Sequence, residues 1–181
     1  KMKKILMTMV AAVIAVSASA QVYLGGSIGV GVSKVKNGEE KTTFKLLPEF
    51  GYGINGNWAV GTVIGWGKGN PVSLGDVSVN SDETYFKLSP YVRYTFVHSK
   101  FVNVFVDGGV DYQHYKGGVN NLEVGLTPGV AVNLNRHFSF VTKVGFLGWK
   151  NTKNSDTDLD TQAWGASFDN NHLTFGLYYN F

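Results

Sequence analysis

From Gln21 to the end, the chain alternates between two kinds of residue with a period of two. That confines it to extended strands with chemically different faces, because successive side chains on a strand point to opposite sides. In 22–33, Val22, Leu24, Ile28, Val30 and Val32 share one face, and Tyr23, Gly25, Ser27, Gly29 and Gly31 the other. The pattern returns at 43–54, 58–67, 84–96, 102–113, 122–134, 138–149 and 173–181, giving eight strands. Asn55-Gly56-Asn57, His98-Ser99-Lys100 and Asn135-Arg136-His137 carry tight-turn residues. The other connections, 34–42, 68–83, 114–121 and 150–171, are long.

The chain also repeats itself. Phe44-Lys-Leu-Leu-Pro48-Glu-Phe-Gly-Tyr52 recurs as Phe86-Lys-Leu-Ser-Pro90-Tyr-Val-Arg-Tyr94, and more weakly as Leu126-Thr-Pro128-Gly-Val130. A strand, a short turn and a returning strand form the unit, with a single strand at each end. Short turns on one side and longer loops on the other are the asymmetry of a barrel that crosses an outer membrane. The three prolines sit mid-strand, where proline removes a ladder hydrogen bond. Their matching positions predict a repeated bulge or bend.

A soluble sandwich alternates too, so the placement of charge and aromatics must decide the environment. Within the strands, Lys45, Glu49, Lys87, Arg93, Asp107, Asp111, Glu123 and Lys143 all lie opposite the apolar row, four of each sign. On the apolar face Phe44/Tyr52, Trp58/Trp66, Phe86/Tyr94 and Phe138/Phe146 are each eight residues apart. Eight tilted residues rise about 20 Å along a barrel axis, close to the height of an outward apolar band between two aromatic girdles. The expected fold is therefore all-β: an eight-stranded antiparallel up-and-down transmembrane barrel, apolar outside and charged within.

Residues 1–20 have a different character. Lys3 and Lys4 precede the apolar run 5–16, and Ser17-Ala18-Ser19-Ala20 follows. This is the layout of a secretory signal peptide cleaved before Gln21, and the run falls short of the roughly 20 residues that span a bilayer. Without Lys1, Lys3 and Lys4, 13 basic residues face 13 acidic ones. The basic character of the whole chain thus argues for no nucleic-acid partner. With no cysteine present, disulfide scaffolds, thiolate metal sites and a lipidated N-terminal cysteine are all excluded.

The alternating strands, the turn-flanked repeat and the ending Leu173-Thr-Phe175-Gly-Leu177-Tyr-Tyr179-Asn-Phe181 resemble the small eight-stranded outer-membrane barrels, a family that includes the outer-membrane protein A transmembrane domain and the opacity-type adhesins. The resemblance covers about 21–181. It implies a location in the outer membrane, outer-membrane lipid as surroundings, and a monomer. Tyr179 and Phe181 would form the signal read by the barrel-assembly machinery.

The inward charges are the candidate site. If Phe96 pairs with Val102, Lys87 faces Asp111 and Arg93 lies diagonal to Asp107. An unpaired charge in a narrow lumen is costly, and eight strands leave an interior that side chains fill, so a mutually neutralising plug is expected. The alternative is a small-solute or ion channel gated by the same charges. His137-Phe-Ser139 has the spacing of the His-x-Ser pair of lipid A-deacylating barrels, but it falls at a periplasmic turn facing inward. Asp156-x-Asp158-x-Asp160 lacks the glycine and closing glutamate of a calcium loop. No catalytic residue, cofactor or metal ligand is expected. The function read from the sequence is structural or surface-interacting, with an extracellular ligand through the outer loops as a possible partner.

Overall fold

The structure, a computed structural model, describes residues 22–34, 40–69, 83–154, 159–167 and 174–181. The proposed leader 1–20, Asp156 and Asp158 lie outside them. Ten strand segments form one antiparallel sheet: β1 Val22–Lys34, β2 Glu40–Gly53, β3 Trp58–Lys68, β4 Thr84–His98, β5 Val102–Tyr115, β6 Val119–Asn133, β7 Phe138–Lys143, β8 Phe146–Asn154, β9 Leu159–Ser167 and β10 Thr174–Asn180. Each pairs with its predecessor from β1 to β6; β7 and β8 both lie on β6, β9 lies on β8, and β10 bridges β7 and β1. Counting β7–β8 and β9–β10 as one stave each, this is a closed eight-stranded antiparallel barrel.

The three tight turns use one device. The side-chain oxygens of Asn55, Ser99 and Asn135 each accept the backbone N–H groups two and three residues ahead. Local side-chain acceptors of this kind stabilise a reversal that the ladder cannot satisfy.

The outer connections differ from expectation in two places. The loop expected at 114–121 is a three-residue turn with Gly118 at φ 77°, and β5 and β6 pair up to His114↔Asn120. Most of 150–171 is the β8–β9 hairpin, paired from Phe146↔Ser167 to Asn154↔Leu159. Its sequence, Lys150-Asn-Thr-Lys-Asn and Asp160-Thr-Gln-Ala, is polar on both faces, so it carries no period-two hydrophobic signal.

All three prolines stand at ladder breaks of one kind. Pro48, Pro90 and Pro128 pair with the preceding strand at Gly26, Thr62 and Val106. Toward the following strand, pairing lapses between Leu46↔Trp66 and Glu49↔Val63, between Leu88↔Tyr112 and Tyr91↔Gly109, and between Leu126↔Leu147 and Gly129↔Lys143. The missing proline N–H is the donor that side would have used. At the third break three residues, 144–146, oppose two, with Gly145 at φ 75° and Val144 N–H still donating to Pro128 O at 3.0 Å. The extra residue makes a bulge and reverses the parity of the strand.

Candidate functional site

Strand alternation places all eight predicted charges on the inner face, half-buried or buried. Four of them meet at one level. Arg93 Nε and Nη2 donate to the two carboxylate oxygens of Asp107 at 2.7 and 2.9 Å. Nη2 also reaches Glu49 at 3.2 Å. Lys143 donates to both Glu49 oxygens at 3.1 Å and to Asp107 at 3.0 Å. Glu49, Arg93 and Asp107 are 4–7% exposed. The tetrad is neutral, as an ionic cluster removed from water must nearly be.

A layer the sequence reasoning missed surrounds the guanidinium. Arg93 lies over the Phe105 ring at 3.9 Å and within 5.2–5.6 Å of Tyr91, Tyr23 and Tyr178. Phe105, Val141, Tyr178 and Ala131 form the dry core of the barrel, with Tyr23 packed against them. Cation–π attraction and ring burial act together here. Each of the four aromatic rings stands directly across the ladder from a glycine: Tyr23↔Gly51, Tyr91↔Gly61, Phe105↔Gly129 and Tyr178↔Gly25. A Cβ at any of these glycines would collide with the opposing ring. The signal available in the sequence was an aromatic set of inward parity matched by glycines at cross-strand positions. The Tyr91 hydroxyl completes the layer, donating to Glu49 and pairing with the Tyr23 hydroxyl at 2.7 Å.

Outward of the tetrad, Lys87 pairs with Asp111, and Glu123 with Lys150 at 2.7 Å. The β4–β5 register corrects the expected one. Arg93 is directly opposite Asp107 and Lys87 is diagonal to Asp111, because the turn pairs His98 with Asn103, three places from the expected register, and the extra residue Phe96 in β4 takes one place back. The ion pairs survive the shift, since direct and diagonal neighbours both lie within reach. Lys45 has no carboxylate partner among the described residues.

Below the tetrad a vestibule of about 750 Å³ opens at the end carrying the tight turns. Arg93, Phe105 and Tyr23 form its floor, and Asn103, Asn133, Ser139 and Asn180 part of its wall. Ser139 donates to Asn133 at 3.0 Å and accepts from Asn180 at 3.0 Å, while His137 bonds the Asn180 carbonyl at 3.1 Å. The His137–Ser139 pair is therefore engaged in holding the turn to the last strand. Asp160 is exposed and accepts from Asn151. Among the described residues no cluster of His, Cys, Asp and Glu could hold a metal ion.

Seven of the eight predicted girdle aromatics point outward: Phe44, Tyr52, Trp58, Trp66, Phe86, Tyr94 and Phe138. Phe146 does not. The Gly145 bulge turns it into the lumen, its ring against Gly125 and Gly148, and Trp149 takes the outward parity, tilted against Trp164. Tyr179 packs between His137 and Phe138 and touches Phe181 edge-on.

An antiparallel barrel with a largely apolar exterior and an ionic interior is an integral membrane barrel. In lipid, only a closed sheet or a helix satisfies every backbone polar group. Comparison with known proteins narrows the class: the family model described as "Outer membrane protein beta-barrel domain" matches residues 5–181, and the chain belongs to that family of the outer membrane. Among solved structures it is similar to the Neisserial surface protein A, at 12% identity and a TM-score of 0.52, covering 88% of this chain and 97% of that one. At that identity the likeness is one of fold. No curated protein matches the sequence.

Proposed function

We propose that this protein is a non-enzymatic outer-membrane barrel with a plugged lumen, serving a structural or surface-interaction role through its outer strand ends and loops. The observation that carries the reading is the buried, neutral Glu49–Arg93–Asp107–Lys143 tetrad seated on an aromatic core. Such a layer fills the narrow interior of an eight-stranded tube and leaves the vestibule a blind pocket. In the same proposal, export uses a leader cleaved before Gln21, and Tyr179 and Phe181 belong to the segment read by the assembly machinery. An unaltered lipid A mass spectrum on overexpression is the expected sign that the barrel has no acyl-removing activity.

Planar-bilayer recording tests the plug. Wild-type protein is expected to give no reproducible conductance. A steady conductance that shifts when Lys87 or Asp111 is neutralised would replace the plug with the channel reading.

A further inference from the structure

Charge is distributed unequally along the barrel axis. The stretches on the tight-turn side of the tetrad, 50–62, 94–106 and 128–142, contain no Asp or Glu. Their residues of fixed positive charge are Lys100 and Arg136, both exposed on turns and both lining the vestibule. A terminal carboxylate on Phe181 would offset one of them at most. Among the described residues the carboxylates outside the tetrad, Glu83, Asp111 and Glu123 included, all lie toward the long loops.

The vestibule has the build of a ligand pocket. Its volume of about 750 Å³ falls within the range of small-ligand sites, which combine an apolar lining with a few placed polar groups. Arg93 and the rings of Tyr23 and Phe105 close the floor, with Ala59 and Ala131 beside them. Higher on the wall, Asn133, Ser139 and Asn180 bond one another. The Asn103 side chain, on the same wall, forms no hydrogen bond among the described residues. A free amide offers both donors and an acceptor to whatever enters.

Each feature narrows the ligand. A mouth with cations and no carboxylate attracts an anion. A closed apolar floor admits the end of a chain rather than a chain running through. An amide on the wall matches the donor and acceptor of a peptide group. The ring faces at the floor are already taken: Tyr23 stacks on Tyr178 at 5.5 Å, and Phe105 lies under Arg93 at 3.9 Å. No broad aromatic face is left there for a sugar ring to stack on. The short turns of outer-membrane barrels lie on the periplasmic side, so the ligand comes from the periplasm.

We infer that the vestibule is a periplasmic binding site for the end of a short acidic peptide segment. Its apolar tip rests on Tyr23 and Phe105, a peptide group bonds Asn103, and its carboxylates stay at the mouth beside Lys100 and Arg136. The pocket is blind because the tetrad closes the tube, so this inference rests on the plugged reading.

The test uses the full chain in phosphatidylcholine nanodiscs, which leave both ends of the barrel accessible. The probe is the peptide Glu-Asp-Glu-Ser-Ala-Leu, fluorescein-labelled at its acidic end and amidated at the other, followed by fluorescence anisotropy. Binding is expected, and should weaken as sodium chloride is raised, because exposed charges are screened. Lys100→Gln combined with Arg136→Gln should weaken it by about tenfold. Asn103→Leu should weaken it by about fivefold with the salt dependence unchanged. A glycine in place of the leucine tip should also weaken it, whereas Lys116→Gln, on the distant β5–β6 turn, should change nothing. Anomalous migration of unboiled protein on a detergent gel confirms that each variant is folded. Indifference to the Lys100 and Arg136 changes, or to both Asn103→Leu and the glycine tip, would overturn the site. Loss of binding in nanodiscs containing phosphatidylglycerol would assign the cations to lipid phosphates, and displacement by diacetylchitobiose would assign the pocket to a sugar. Either result overturns the choice of a peptide. No binding by a wild-type protein that is silent in planar bilayers removes the site and leaves the plug. A wild-type conductance that the peptide blocks removes the plug and leaves the site.

Discussion

Replacing Glu49 by Gln isolates the charge balance of the lumen from its packing. Glu49 is 4% exposed and takes hydrogen bonds from Arg93, Lys143 and Tyr91. The amide keeps the shape and an acceptor for the Tyr91 hydroxyl, but leaves two cations facing Asp107 alone. Stranding one buried charge costs about 3–5 kcal/mol. With a urea dependence of about 2 kcal/mol per molar, the unfolding midpoint in bilayers should fall by about 1.5–2.5 M. Glu123→Gln breaks a pair whose lysine side chain is 43% exposed, so water replaces the lost partner and the change should stay below about 1 kcal/mol. The decisive variant is Glu49→Gln combined with Lys143→Met, which returns the cluster to Arg93 with Asp107. It should regain at least about 2 kcal/mol over Glu49→Gln alone, a non-additivity expected of groups in one network. A Glu49→Gln midpoint within about 1 kcal/mol of wild type, or a double variant with the two losses summed, would refute the argument.

Two further outcomes follow from the wall and the glycines. Leu88→Arg sets a charge on the outer face two residues from Pro90 and should destabilise the protein in bilayers by about 2–4 kcal/mol, measured by urea titration; a negligible loss would contradict the orientation of the faces. Gly129→Ala drives a methyl group into the Phe105 ring and should cost about 1–3 kcal/mol. Gly165→Ala meets nothing within 4 Å and should stay within about 0.5 kcal/mol in the same titration.

The strands that face lipid were legible because hydrocarbon on one side and a polar lumen on the other impose a strict period of two. The distal part of the β8–β9 hairpin was not, because polar residues occupy both faces of Lys150–Asn154 and of Asp160–Gln162. Two single-residue insertions escaped the pattern. Phe96 shifts a register between residues of correct parity, and the 144–146 bulge hides Phe146 among apolar neighbours whose order reads equally well without it. The ionic members of the site could be found by residue type and parity. Their assembly into one tetrad could not, since Lys143 lies 94 positions from Glu49 and meets it only through barrel closure. The aromatic box was half visible. Tyr23 stood on the inward face in plain sight, but its meaning needed Gly51 across the ladder.

The three prolines bear on how the tube finds one alignment among several. Sliding a strand by two positions keeps every apolar side chain outside, so the lipid alone does not forbid it. A residue lacking a donor, however, can sit only where its neighbour asks for none. With Pro48, Pro90 and Pro128 each set against a lapse in the next strand, a slipped chain would put that defect beside an intact rung. The prolines thus act as index marks, making the native stagger cheaper than its nearest rivals.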